Sequence, residues 1–409
     1  MLLEASRVSR VILLNGARQT GKSTLLQGLF EGADEPVYVS LDDLSSLDAA
    51  KRTPKSFLQQ FNGPVIIDEI QRAPELFLPM KEIVDQDKSP GRFFLSGSAS
   101  VLGLPKLADS LAGRMDIHSL WTLSQGEMNG YHELFVDSAF QKEKIKRVKG
   151  VKLGALLQKI VAGGYPEVLM RPTETARTIW YESYLKTILE RDVRDLSNIE
   201  GITMLPNLLA LIASRAGNLV NTSDLSRSLT IPNTSLKRYL SLLQAVFLTV
   251  PIQPWFGNIG KRIVKSPKVF LNDTGLLCHL LGQNVDSLMG ANHTLLGPVF
   301  ENFVMMELCK QISWSKTRPK LYHYRTSTGE EVDFVLESRD GRLVGIECKT
   351  SASVDHNSFK GLRSLEAALG AKLHRGIVIY TGSETLAFGD KFDAVPVNAI
   401  WETTSNAPS

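Results

Sequence analysis

Residues Gly16-Ala17-Arg18-Gln19-Thr20-Gly21-Lys22-Ser23, followed by Thr24, fit the pattern GxxxxGK[ST]. An apolar run, Val11 to Leu14, precedes the pattern and a helical pattern from Lys22 to Phe30 follows it, so the expected local fold is strand, loop, helix. In such a loop the glycines let the backbone wrap an anion, with N–H groups and the helix N-terminus aimed at it. Lys22 adds a point charge at the β- and γ-phosphates of a nucleotide, and the Ser23 hydroxyl is a ligand for Mg²⁺. Gly16 through Thr24 are therefore the expected nucleotide-binding segment.

Further short apolar runs follow at 36–41, 63–69 and 92–97, alternating with helix-like segments at 54–61 and 74–87, which argues for a parallel α/β sheet. Val65-Ile66-Ile67-Asp68-Glu69 is an apolar strand ending in two acids. Asp68 is expected to hold Mg²⁺ through water, and Glu69 to polarise an attacking water. Phe93-Phe94-Leu95 delivers Ser96, with Ser98 close behind, and Ser96 suits a sensor of the γ-phosphate or of the lytic water; a plain turn serine is the alternative. Arg114 either reaches the phosphates of its own or a neighbouring chain, or serves as a surface ion-pair partner.

The lysine-rich stretch at 136–152 reads as a solvated connection or exposed helix and as a domain border. Residues 153–215 read mostly as helices. The segment TSDLSRSLT, the turn around Pro232 and the helix TSLKRYLSLLQAVFLTV have the layout of a winged helix-turn-helix. Lys237 and Arg238 on that helix, with Lys261, Arg262, Lys265 and Lys268 beyond it, form a local basic patch suited to phosphate contact with DNA. Arg191, Asp192 and Arg194 in ERDVRDL have the spacing of a helical ion-pair network. From about Gly297 a helix, three strands, a helix and a strand make a second α/β unit. There, alternation puts Glu347 and Lys349 on one face of a strand, and a hairpin can bring Asp333 beside them. Two carboxylates and a lysine in that arrangement suit a metal and a water for phosphodiester cleavage; a solvated strand face carrying the same residues is the other reading.

GARQTGKSTLL, IIDEIQRAPELF, FFLSGSAS and LAGRM followed by LSQGE resemble the AAA-type ATP-binding proteins of bacteria and archaea that carry a C-terminal domain of unknown function. GGYPEV (163–168), ERDV (190–193), KRIVKSPKVFLNDTGLL (261–277), GPVFENFV (297–304) and GEEVDFVLE (329–337) extend the similarity over nearly the whole chain. The resemblance implies a P-loop ATPase domain over 1–135, a helical and winged-helix region over 136–290, a restriction-endonuclease-like α/β domain over 291–401 and a flexible tail over 402–409. ATP and Mg²⁺ are the implied cofactors. Asp333, Glu347 and Lys349 resemble the D…ExK core of restriction-endonuclease-like domains, with Glu301 as the additional acid near a second metal. The family habit of placing an arginine at a neighbour's phosphate implies an ATP-dependent homo-oligomer through Arg114. The sequence departs from these proteins in beginning almost at the first strand, with little of the upstream arm that usually precedes it in relatives, so the resemblance does not carry over an adenine contact from that arm. Two functions follow: ATP hydrolysis coupled to action on nucleic acid through the nuclease-like end, or a nucleotide-gated regulatory or scaffolding protein in which that end is inactive.

Composition narrows the partners. Forty-six Lys and Arg against 43 Asp and Glu give +3, too small a surplus over 409 residues to demand a polyanion, so any nucleic-acid face must be local. Cys278, Cys309 and Cys348 stand without paired spacing, which supports neither a zinc site nor a disulfide framework. No apolar stretch reaches the roughly 20 residues that span a bilayer, and a cytoplasmic protein is expected.

Overall fold

A computed structural model describes residues 1–30, 36–99, 111–193, 202–257, 266–290, 292–326 and 328–404. The chain divides into two compact units, Met1–Trp121 with Ser241–Leu248, and Thr122–Leu240 with Thr249–Ser409.

In the first unit, β1 (Val11–Asn15), β2 (Val37–Ser40), β3 (Val65–Asp68), β4 (Phe93–Gly97) and β5 (Met115–Ser119) form a parallel sheet in the order β2-β3-β4-β1-β5. The runs of β-branched and aromatic residues explain why β1, β3 and β4 are central: each is buried along its whole length, as parallel strands covered on both faces must be. One face, carrying Leu13, Ile67 and Leu95, packs under Phe57, Leu58, Phe77, Met80 and Val84 of the helices Pro54–Gln59 and Phe77–Gln86. The other face, carrying Ile12, Leu14, Ile66 and Phe94, is covered by Leu26 of the helix Lys22–Gly28. Full burial of a side chain such as Leu26 contributes about 2–3 kcal/mol, which anchors the helix whose first turn carries Lys22 and Ser23. The crevice beyond the carboxyl ends of β1, β3 and β4 is where α/β sheets of this kind bind ligands.

In the second unit, helices Leu205–Ala213 and Thr222–Leu229 are followed by Asn233–Ala245, whose residues from Ser241 on count with the first unit, and then by an antiparallel pair, β6 (Thr249–Ile252) and β7 (Lys268–Leu271). The side chain of Asn221 caps the second of these helices by accepting from the Asp224 N–H. After the helix Leu296–Trp314 come β8 (Lys320–Arg325), β9 (Glu331–Glu337), β10 (Leu343–Lys349), β11 (Leu373–Tyr380), β12 (Leu386–Ala387) and β13 (Phe392–Pro396), ordered β12-β13-β11-β10-β9-β8. β8, β9 and β10 form an antiparallel meander, and the helix Lys360–Leu369 returns the chain so that β11 runs parallel to β10. This helix lies close on the sheet because Gly361 faces it: a Cβ there would come within 2.0 Å of the Glu331 carbonyl oxygen.

Part of the 136–152 stretch differs from a solvated connection. Phe135–Ala139 is a short helix with Phe135, Val136 and Ala139 buried, and Phe140 and Ile145 are buried beyond it. Arg375 donates to the carbonyl oxygens of Gln141 (3.1 Å) and Glu143 (2.7 Å), tying the stretch to β11. The exposed lysines 142, 144, 146 and 149 dominate its composition and mask these spaced apolar anchors. No helix among the described residues is long and apolar enough to cross a membrane. The three cysteines are free thiols.

Candidate functional site

The loop between β1 and the helix Lys22–Gly28 is shaped by two glycines. At Gly16 (φ 156°) a Cβ would lie 2.2 Å from the Leu120 carbonyl oxygen, and Gly21 caps the helix at φ 92°, in left-handed territory. Gln19 also has positive φ, 60°. The Ala17 carbonyl oxygen accepts from Lys22 Nζ at 2.7 Å and from Thr20 Oγ1 at 3.0 Å, so the buried Lys22 ammonium is folded onto its own loop. Arg18 is half-buried, while Gln19 and Thr24 are exposed.

The expected residues converge on Asp68 at the end of β3. Ser23 Oγ donates to Asp68 Oδ2 at 2.9 Å, and Ser96 Oγ, from β4, donates to Oδ1. Tyr38, which the sequence did not single out, donates its hydroxyl to Asp68 Oδ2 at 2.8 Å. Burial, then the Asp68 carboxylate, push the Tyr38 phenol up to about 12. Ser23 and Asp68 are hard oxygen groups of the kind Mg²⁺ takes, and the Ser23 hydroxyl, with its hydrogen turned to Asp68, keeps its lone pairs for the ion while the carboxylate can accept from an ion-bound water.

Glu69 follows in left-handed backbone (φ 57°, ψ 45°), which for a residue with a Cβ costs on the order of 1–2 kcal/mol. Its Oε2 accepts from Ser98 Oγ at 2.8 Å and from Gln71 Nε2, and Gln71 Nε2 also donates to Ser98 Oγ at 3.0 Å. The strained backbone and this three-residue network fix the carboxylate one residue beyond Asp68. Gln71 escaped the sequence reading because nothing in its spacing distinguishes it from a surface glutamine.

Arg114 corrects one expectation. It immediately precedes β5, and its carbonyl oxygen accepts from the Val11 N–H at the start of β1, whereas the loop leaves the far end of β1. A side chain at the amino ends of the strands does not reach phosphates at their carboxyl ends, so Arg114 does not serve its own loop. It makes a bidentate pair with Asp85, Nε to Oδ1 at 2.5 Å and Nη2 to Oδ2 at 2.9 Å. The hydrogen bond from Arg114 holds the Asp85 carboxyl below its ordinary value.

In the second unit β9 carries Asp333, β10 carries Glu347 and Lys349, and the helix Leu296–Trp314 carries Glu301. The β9–β10 ladder ends at Ile346 opposite Phe334, and the Cys348 N–H instead donates to Asp333 Oδ2 at 2.8 Å. Lys349 Nζ donates to Glu347 Oε1 at 2.8 Å, while Glu347 Oε2 is buried without a hydrogen-bond partner among the described residues. Lys268 of β7 points its ammonium among the acids: 2.8 Å from Glu301 Oε1, 2.6 Å from Glu331 Oε1 and 3.7 Å from Asp333 Oδ1. Burial opposes charge on Lys268, but Glu301, Asp333 and Glu331 outweigh it and raise the pKa of the ammonium. Burial, then the neighbouring Asp333, push Glu301 up to about 8 and Glu347 up to about 7; burial raises Asp333 as well.

Two expectations change here. Lys268 is 3% exposed and belongs to an acid cluster rather than to a basic patch. Among the described residues no group of three or more His, Cys, Asp or Glu takes up a metal-holding arrangement, so Glu301, Asp333 and Glu347 do not form a ready metal cage. Glu331, two residues before Asp333 and on the same strand face, is the acid that sequence alternation could have found. Lys261, Arg262 and Lys265 lie outside the described residues, as does Arg194; Lys237 and Arg238 are exposed, and Arg191 and Asp192 occupy the π-helical turn Ile188–Asp192.

Three further motifs are held by hydrogen bonds. Asp273 caps the helix Thr274–Leu280, accepting from the Leu276 N–H at 3.0 Å, the Gly164 N–H at 2.7 Å and the Tyr181 hydroxyl at 3.1 Å. GGYPEV and NDTGLL thus meet at one buried carboxylate. In LSQGE, Ser124 and Glu127 form a capping box, and Gly126 N–H donates to Glu133 Oε1 at 2.8 Å.

The family model of an AAA domain matches residues 8–129, and two domains of unknown function, DUF8612 and DUF4143, match 154–287 and 296–400. The uncharacterized proteins Rv2008c of Mycobacterium tuberculosis and Mb2031c of Mycobacterium bovis are each 31% identical over 398 residues, 97% of this chain and 82% of theirs. The uncharacterized protein MJ1544 of Methanocaldococcus jannaschii is 21% identical over 96% of this chain and 88% of its own. An AAA domain at the amino-terminal end makes the protein an ATPase-like one, and at this identity and coverage the chain belongs to the same family as the two mycobacterial proteins.

Proposed function

We propose that the protein is a Mg²⁺-dependent ATPase whose nucleotide state controls how its second unit engages nucleic acid. The observation that carries the ATPase reading is the convergence of Ser23 and Ser96 on Asp68, with Glu69 held beside it by Ser98 and Gln71. Lys22 would exchange the Ala17 carbonyl for the β- and γ-phosphates of ATP. Ser23, and Asp68 through water, would hold Mg²⁺, which neutralises charge developing on the phosphate oxygens. Glu69 would take a proton from the attacking water as the γ-phosphoryl group leaves ADP, and Ser96 would position Asp68.

The order helix, helix, helix, hairpin over 205–271 supports a winged helix-turn-helix, with Lys237 and Arg238 on its third helix. The order helix, three-stranded meander, helix, parallel strand over 296–380 supports a restriction-endonuclease-like domain. Between a cutting domain and an inactive one, the Lys268 ammonium among the acids favours the inactive one, and with it a nucleotide-gated regulatory protein.

Binding of a fluorescent ATP analogue and ATP turnover test the first part. Lys22→Ala should weaken binding strongly, and Glu69→Gln should keep binding while turnover falls by about 100-fold or more. A Lys22→Ala protein that binds like wild type would refute the phosphate-loop assignment. Turnover measured with single-stranded DNA, duplex DNA and RNA identifies the partner by stimulation. Mg²⁺-dependent plasmid nicking that disappears in Lys349→Ala would restore the cutting reading.

A further inference from the structure

The acid cluster of the second unit already contains a cation. Lys268 reaches Glu301 and Glu331 at 2.8 and 2.6 Å and faces Asp333 at 3.7 Å, Arg325 lies 3.8 Å from Glu331, and Lys349 pairs with Glu347. Three cations thus face four carboxyl groups, and the Lys268 ammonium already supplies the positive charge at the centre of the acids. The distances from Lys268 Nζ to Glu301 and Glu331 are those of ammonium hydrogen bonds, longer than the roughly 2.0–2.1 Å of Mg²⁺–oxygen bonds.

The lysine is also fixed from behind. Its backbone pairs with Ile252 of β6 on one side and bridges Leu219 on the other. Next to it, Gly217 N–H donates to the Val269 carbonyl oxygen at 3.0 Å and Asn218 carbonyl oxygen accepts from Val269 N–H at 3.3 Å. Gly217 (φ 76°) itself lies against Glu301: a Cβ there would be 3.1 Å from Oε2. The pairing of β7 on both sides holds the Lys268 backbone beside the acids, and moving the ammonium away would leave several buried carboxylates facing one another without their cation, which is strongly unfavourable.

We infer that Lys268 is the resident cation of this cluster: it joins the β6–β7 hairpin to the β8–β10 sheet, makes the wild-type cluster refuse Mg²⁺ and Mn²⁺, and hides a latent divalent-metal site. Removing its charge while keeping its length should expose that site. Full-length wild type, Lys268→Met and Lys268→Arg, all without nucleotide, are titrated with Mn²⁺ by electron paramagnetic resonance and melted with and without Mn²⁺. Wild type and Lys268→Arg should show no Mn²⁺ site that depends on Asp333. Lys268→Met should gain one, bound about 100-fold or more tighter than by wild type and lost in Lys268→Met with Asp333→Asn, and its melting temperature should rise only with Mn²⁺.

Mn²⁺ binding to wild type that disappears in Asp333→Asn would overturn the inference. So would a folded Lys268→Met that refuses Mn²⁺. If Lys268→Met folds only with Mn²⁺ present, the metal has replaced the lysine and the inference stands; if it folds under neither condition, Mn²⁺ cannot take the place of the lysine and the latent site is refuted. Lys268 acts in the second unit, so its failure as resident cation leaves ATP hydrolysis at Lys22 and Glu69 untouched.

Discussion

Ser23 Oγ donates a 2.9 Å hydrogen bond to Asp68 Oδ2, joining the first turn of the loop helix to the end of β3 across 45 residues of sequence. With the hydroxyls of Tyr38 and Ser96 on the same carboxylate, three neutral donors hold Asp68 in place before any nucleotide arrives. Asp68→Ala should therefore abolish Mg²⁺-dependent turnover, a fall of about 100-fold or more, while circular dichroism stays native. Tyr38→Phe removes one donor and leaves two, so it should raise the Mg²⁺ concentration needed for half-maximal turnover with little change in the maximal rate. An equal loss of maximal rate in both variants would mean that Tyr38 acts on the reacting atoms.

Glu69 makes a separable prediction, because its position depends on Gln71 and Ser98. Gln71→Ala should lower kcat by about 3- to 10-fold, about 0.7–1.4 kcal/mol, at unchanged KM for ATP, since Ser98 keeps its own hydrogen bond to Glu69. Steady-state kinetics decides it. A kcat that rises would show that Gln71 restrains Glu69 from the water.

The phosphate loop was legible because its chemistry is carried by neighbours in sequence: Gly16, Gly21, Lys22 and Ser23 act within one turn, and Asp68 and Glu69 mark a strand end. What depends on strand order was not legible. Arg114 and Lys22 both lie next to strands of one sheet, yet only the parallel pairing of β1 with β5 puts them at opposite ends. Lys268 was the harder case. Its neighbours in sequence are basic, and only the antiparallel hairpin and the packing of the helix Leu296–Trp314 turn it toward Glu301, far along the chain. GGYPEV and NDTGLL stood out as motifs without chemistry because their common purpose, Asp273, is a tertiary contact.

That contact is testable at Gly163, where a Cβ would fall 2.3 Å from Asp273 Oδ1, at φ 69°. Both the contact and the backbone oppose any side chain, so Gly163→Ala should destabilise the second unit by about 2–4 kcal/mol. Chemical denaturation followed by tryptophan fluorescence, to which Trp180 contributes beside this contact, reads it. A loss below about 0.5 kcal/mol would mean that the Gly163 loop shifts freely away from Asp273.

Arg114 tests assembly. Its bidentate pairing with Asp85 leaves no role at its own loop, so Arg114→Ala should keep ATP turnover of the isolated chain within about two-fold. Light scattering of Glu69→Gln with and without ATP shows whether nucleotide drives self-association. A larger species with ATP that disappears when Arg114→Ala is added would assign Arg114 to a neighbour's phosphate.

Glu133 sets a pH dependence for the second unit. Burial first, and then the nearby Glu307, push its carboxyl up to about 8 from an ordinary value near 4.5, although Ser124 Oγ and the Gly126 N–H both donate to it. Glu127 adds to the repulsion, and Lys310 is engaged with Glu307 at 2.7 Å. A carboxyl raised in the folded state binds its proton more tightly there than when unfolded, so its contribution is fully present below about pH 4.5 and is lost as pH climbs through about 8. Glu133→Gln mimics the protonated form, and the Ser124 hydroxyl can turn to accept from the new amide. Its melting temperature relative to wild type should therefore rise steadily between pH 5 and about pH 8 and level off above that. A difference that stays flat across this range, or that favours wild type as pH rises, would show that Glu133 is ionised throughout and that the Ser124 and Gly126 donors outweigh its burial.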